Sequence, residues 1–121
     1  MYGLFMIEPY GSLILDGFKS YDARSYSTNI RGKIAIIDSK THLIKGYVTL
    51  TDVKEISFKE YVVWHNDAYK DFEIVNNQPS KKYYAWILEK PIKENKKIKV
   101  QRLSRNPWIN LEGLNGNFEK K

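Results

Sequence analysis

Short apolar runs set off by proline, glycine and polar turns make up most of the chain. Gly3–Ile7 (GLFMI) is one such run, closed by Glu8-Pro9, and reads as a short buried strand. Pro9 suits the first turn of a helix, where its missing N–H costs nothing. Tyr10, Leu13 and Ile14 then form a helical stripe and Gly17 is a stop signal, which predicts a helix over Pro9–Asp16. The stretch KSYDAR follows as a strand. Strict alternation puts Ser20, Asp22 and Arg24 on one of its faces and Tyr21 and Ala23 on the other, with Lys19 at its mouth.

STNIRG is polar and turn-like, and Lys33–Ser39 (KIAIIDS) has the β-branched content of a central strand. LIKGYVTLTDVKEI is the next strand, with Gly46 marking a bulge or a close backbone approach. Phe58, Tyr61, Val62, His65 and Tyr69 recur at helical spacing, which predicts an amphipathic helix. NNQPSKK is a loop and Tyr83–Lys90 (YYAWILEK) a strand. PIKENKK is a turn, IKVQR the last strand, NPWINLEG an irregular closure and 114–121 a frayed tail. Many short strands with two helices between them predict an α+β domain or a small mixed barrel.

The chain has 121 residues, which fits one domain with one core. It contains no cysteine, so disulfides and thiolate metal sites are excluded. The two histidines, His42 and His65, are far apart in sequence, so no metal site is expected. No glycine-rich phosphate cradle or nucleophile signature is present, and no cofactor is expected. The greasy N-terminus has no basic leader and is broken by Glu8-Pro9, so it reads as core strand and helix rather than signal peptide. No apolar run approaches the ~20 residues of a membrane span, and the expected location is cytoplasmic. The formal net charge of +6 favours polyanionic partners, RNA or DNA first. Much of the excess lies in KENKKIKVQRLSR, a candidate phosphate-backbone contact that is equally readable as a solvated basic hairpin.

GFKSYDAR (Gly17–Arg24) concentrates the candidate chemistry. On local pattern alone, Asp22 and Arg24 are a strand-edge ion pair worth roughly 0–1 kcal/mol. The alternative is a cleft wall. There Arg24 would grip a phosphate or base edge with its planar fork, Asp22 would orient the cations or accept from a base amine, and Lys19 would supply a point charge.

The order of blocks favours the cleft. IEPYGSLILDGFKSYDAR resembles the opening of the activating signal cointegrator homology (ASCH) domain, a strand and a Pro-initiated helix followed by G-x-K-x-x-E-x-R. Gly17, Lys19 and Arg24 match, and Asp22 stands where Glu is usual. RGKIAIIDSK resembles the family's R-G-x-I-x-I-H-A-S-K strand, matching at Gly32, Ser39 and Lys40, with Ile37 and Asp38 in place of His-Ala. HLIKGYVTLTDV resembles the strand that follows, and YYAWILEKPIK the late W-x-L-E-x-P strand, with Trp86, Glu89 and Pro91 in place. The resemblance covers about two thirds of the chain and finds no counterpart for Glu55–Lys82.

The resemblance implies a PUA-like fold, a small mixed β-barrel with two or more short helices. It implies a single domain over 1–113 with a divergent helical insert at about 55–82. It also implies binding of single-stranded RNA or a nucleotide in a basic cleft, through Lys19, Asp22 and Arg24, with Ser39, Lys40 and Tyr84 flanking. Some family members release the acyl group from acetylated cytidine with a Lys, a hydroxyl residue three positions on, and a Glu; others are ribonucleases. On that rival reading Lys19 is the essential group, Asp22 occupies the hydroxyl position and Glu89 is the carboxylate offered for the third role. A third class is a protein-interaction module that engages its partner through the 55–82 insert.

Overall fold

A computed structural model describes residues 1–65 and 82–112 of the chain. The predicted tail at 114–121, all but Lys82 of the predicted loop at 76–82 and most of the predicted insert lie outside these residues. Eight elements follow one another: β1 (Tyr2–Met6), α1 (Tyr10–Leu15), β2 (Tyr21–Arg24), β3 (Gly32–Asp38), β4 (Ile44–Ile56), α2 (Phe58–His65), β5 (Tyr83–Lys93) and β6 (Trp108–Asn110). The strands form one six-stranded sheet in the order β2-β5-β4-β3-β1-β6. β1 runs parallel to β3, and the other pairs are antiparallel.

The sheet is curled into a half-barrel. In sheet order β5 and β6 are four strand spacings apart, about 19 Å on a flat sheet. Yet the Trp86 ring of β5 stacks on the Trp108 ring of β6 with centroids 5.7 Å apart and planes 12° apart. Only strong curling brings the two together. The architecture is therefore mixed α+β, a small barrel-like sheet with two short helices.

Continuous apolar runs reflect burial on both faces of the central strands. Leu4, Met6, Ile34, Ile36, Val48, Leu50, Trp86 and Leu88 point inward with Ile14 and Leu15 of α1, which packs across β3, β4 and β5. Phe5, Ala35, Ile37 and Ile44 point the other way and meet Val100 and Leu111. That second layer is why Ile34 to Ile37 shows no alternation.

Gly46 is the tight point. A Cβ there would lie 2.4 Å from the Ile92 carbonyl oxygen and 2.7 Å from Leu15 Cδ2, and the β3–β4 register slips beside it. At the start of α1, the Glu8-Pro9 bond is cis and Pro9 is the N-cap rather than the first helical residue. The Glu8 carboxylate receives the Ser12 N–H at 3.0 Å and the Ser12 hydroxyl at 2.7 Å, so it caps the helix start.

The structure corrects the end of the chain in two ways. β5 continues to Lys93 through Pro91, where a turn is expected from sequence. A bulge makes this possible: Lys90 takes φ +55°, and between Thr49↔Glu89 and Tyr47↔Ile92 β5 carries one residue more than β4. Pro91 thus escapes the ladder bond it cannot donate. The expected IKVQR strand is only a bridge between Leu43 and Lys99, with Val100 N–H bonded to His42 O at 2.8 Å. The last strand is instead Trp108–Asn110, which takes the open edge of β1. No helix among the described residues is long and apolar enough to cross a membrane.

Candidate functional site

GFK owes its shape to the end of α1. Gly17 takes φ +86°, its N–H reaches Ile14 O at 3.1 Å and the Phe18 N–H reaches Leu13 O at 2.9 Å, a Schellman closure that favours glycine at this position. The Lys19 N–H shares the Leu13 carbonyl at 3.1 Å, so the backbone of Lys19 is fixed by the same turn. Its ammonium lies over two ring faces, 4.8 Å from the Tyr21 centroid and 5.4 Å from that of Tyr10.

β2 pairs with β5, which sets Asp22 opposite Trp86 and Arg24 opposite Tyr84. Arg24 Nε donates to Asp22 Oδ2 at 2.5 Å, and Arg24 Nη1 donates to the Tyr26 hydroxyl. The Arg24 guanidinium lies over the Trp86 ring, 5.0 Å from its centroid. Trp86 in turn donates from Nε1 to the Tyr26 carbonyl at 3.0 Å and meets the Tyr26 ring edge-on. Side-chain exposures of 15% for Arg24 and 11% for Asp22 separate this pair from an ordinary surface bridge. Asp22 is the one buried charged residue among those described. Burial opposes the charge on Arg24, but the Asp22 carboxylate and the Tyr26 hydroxyl outweigh it and raise its pKa, so the cation is secure. Its remaining N–H donors have no partner among the described residues.

These side chains line a cavity of about 270 Å³ between β2, the end of β1, the start of α1, and α2. Lys19, Asp22 and Arg24 all contribute to its wall. Ile7, Tyr10, Tyr26 and Tyr61 close it with apolar and phenolic surface. Tyr61 stacks on Tyr83 with centroids 4.2 Å apart, and burial raises the pKa of its phenol. The cavity thus combines two cations, one buried carboxylate and several ring faces. That combination suits a flat, polar, anionic ligand.

The other residues singled out from sequence lie elsewhere. Ser39 and Lys40 follow β3: the Ser39 N–H bonds Met6 O at 3.1 Å, and the Lys40 N–H bonds Asp38 Oδ1 at 2.9 Å with its residue exposed. Neither lines the cavity. Glu89 is exposed at the bulge in β5 and accepts from the Thr51 hydroxyl at 3.2 Å, so it is not assembled with Lys19. Tyr84 is half-buried against the inner core, opposite Arg24 on the neighbouring strand, and does not line the cavity. In the basic stretch Arg102 is turned inward, donating to the carbonyls of Ser104, Arg105 and Asn106. No cluster of His, Cys, Asp and Glu able to hold a metal is present among the described residues.

Tyr26, Tyr10 and Tyr61 were not singled out from sequence. Tyr26 carries a usable signal, since it continues the 22, 24, 26 alternation of β2. The other two arrive from helices, where local pattern does not say what they face.

The sequence matches the ASCH domain family model over residues 4–99. In structure the chain is similar to the crystal structure of ASCH from Zymomonas mobilis, with a TM-score of 0.71 at 11% identity, covering 94% of this chain and 90% of that one. It is also similar to a serine-to-alanine mutant of the Z. mobilis protein, with a TM-score of 0.70 at 11% identity and coverages of 89% and 85%. A tyrosine-to-phenylalanine mutant gives a TM-score of 0.62 at 12% identity, with coverages of 97% and 82%. No curated protein matches the sequence.

Proposed function

The chain belongs to the ASCH domain family, and we propose that its cavity captures one unstacked nucleotide of a single-stranded RNA. The reading takes 1–113 as one domain with an insert at about 55–82. The observation that carries it is the Arg24 guanidinium: mostly buried, lying over Trp86, held by Asp22 and the Tyr26 hydroxyl, and with its remaining N–H donors unpartnered among the described residues. A preorganised fork of this kind binds a phosphate or a base edge through parallel hydrogen bonds. Lys19 adds a second positive charge, and the ring faces offer stacking worth ~1–3 kcal/mol per base. The cavity is slightly smaller than a typical small-molecule site of about 300–1,000 Å³, which fits a single nucleoside unit better than a helix of RNA. The family's link to RNA and the net charge of +6 point the same way.

Deacylation of modified cytidine has weaker support. The position three residues after Lys19 is Asp22, engaged by Arg24, and Glu89 lies outside the cavity wall.

The test pairs wild type with Lys19→Ala. Each is titrated with a labelled mixed-sequence RNA octamer at two salt concentrations and incubated separately with acetylated cytidine. Binding that weakens with salt by about 0.7 log units per log unit for each phosphate engaged, and that drops in the variant without turnover, supports the proposal. Turnover lost in the variant makes the protein an enzyme instead. If wild type shows neither binding nor turnover, the cavity is not a site for these ligands.

A further inference from the structure

A second depression of about 620 Å³ shares Tyr26 with the cavity and is otherwise lined by Ser27, Thr28, Asn106, Pro107 and Trp108. We propose that it is a stacking subsite for the nucleotide adjacent to the one held by Arg24, so that the protein grips a dinucleotide step of single-stranded RNA. This rests on the reading of the first cavity given above.

Its aromatic floor is held rigidly. Trp108 stacks on the fully buried Trp86, meets Tyr2 edge-on at 6.2 Å, and its backbone N–H is bound by Asn106 Oδ1 at 3.0 Å. Tyr26 is 39% exposed, while its hydroxyl accepts from Arg24, the Arg24 guanidinium lies 5.6 Å from its ring centroid and Trp86 meets the ring edge-on, so the ring is held in place yet reaches the surface. Fixed ring faces receive a base with little loss of side-chain freedom. The Asn106 side-chain NH₂ has no partner among the described residues and is placed to donate to a base oxygen or ring nitrogen.

The rim is basic. Arg31 Nη1 donates to the carbonyls of Thr28 and Ile30, which sets its guanidinium beside one bordering loop. Arg102 braces the loop that carries Asn106, and Arg105 is exposed within it. No carboxylate lines the depression. Two aromatic residues, with arginines on the bordering loops and Tyr26 shared with the nucleotide cavity, fit the flanking base and phosphate of the same strand.

The experiment compares two probes, the four nucleoside 5′-monophosphates and a mixed-sequence RNA octamer, on three proteins. These are wild type, Ser27→Glu, which puts a negative charge on an exposed position of the second depression alone, and Trp108→Leu, which removes its stacking face. Wild type is expected to bind the octamer about 5- to 150-fold more tightly than the best mononucleotide, the range that one additional stacked base supplies. Ser27→Glu is expected to lose most of that advantage while leaving mononucleotide binding within about twofold, and Trp108→Leu to do the same if its melting curve remains cooperative. The proposal is overturned if the octamer has no advantage, as a groove built for a protein partner would give, or if Ser27→Glu leaves the advantage intact. It also falls if Ser27→Glu weakens both probes equally. Mononucleotide binding without an octamer advantage defeats only the second subsite, whereas failure of wild type to bind either probe defeats the first cavity as well.

Discussion

Asp22→Asn tests the most distinctive feature of the site. The substitution keeps shape and removes one charge, leaving the Arg24 guanidinium with 15% side-chain exposure and no counter-ion among the described residues. Breaking one side of a fully buried pair costs about 3–5 kcal/mol. Here the Trp86 face at 5.0 Å and the Tyr26 hydroxyl persist and some solvent reaches the pair, so about 2–3 kcal/mol is expected. Arg24→Met, which strands Asp22, should cost a similar amount. The double variant removes both charges and should recover most of the loss, because replacing a buried pair with neutral groups is often close to neutral. Urea unfolding with the slope held common reads this out. With a slope of about 1–3 kcal/mol/M, each single variant should lower the midpoint by about 0.7–3 M, and with the double variant within about 1 kcal/mol of wild type the cycle should give a coupling of about 3–5 kcal/mol in magnitude. Single variants within about 0.5 kcal/mol of wild type would show an ordinary surface bridge, and the description of a buried, preorganised arginine would be wrong.

Gly46→Ala should destabilise by at least the 1–3 kcal/mol of an overpacked core, because the new Cβ would meet backbone at Ile92. Gly11→Ala is its control: the Cβ there meets side chains alone, Ile36 Cγ2 at 3.3 Å and Glu8 Oε1 at 3.6 Å, and the gain in helix propensity of about 1 kcal/mol offsets the squeeze, so its melting temperature should stay close to wild type. Tyr47 has its pKa raised to about 12 by burial and by its hydrogen bond to Glu94. Below pH ~10 the phenol is neutral folded and unfolded, and as pH rises towards 12 the unfolded chain ionises first. Stability is therefore lost across that window, and the difference between wild type and Tyr47→Phe in melts from pH 9 to 12 should shrink as pH rises; a constant difference would refute the burial of this phenol. Trp86→Phe should cost about 2–3 kcal/mol in urea unfolding, since it leaves the Tyr26 carbonyl without its donor and removes the surface shared by Arg24 and Trp108.

Features that depend on near neighbours were legible along the chain. Period-2 alternation put Asp22 and Arg24 on one face, Gly17 marked the Schellman turn that fixes Lys19, and the doubly apolar Ile34–Ile37 run gave a central strand. Four ordered blocks sufficed for the family. What the sequence left open depends on partners far along the chain. Pro91 reads as a strand end until the bulge at Lys90 removes the need for its hydrogen bond. IKVQR and Trp108–Asn110 compete for the last strand, and only the open edge of β1 decides between them. Glu89 matches a motif position yet lies outside the cavity, because register, not spacing, sets which strand residues face it. Tyr61 reaches the cavity from a helix after β4, and Trp108 meets Trp86 only because the sheet curls. Curling is a sum of twists and bulges over six strands, and no local window of sequence contains that sum.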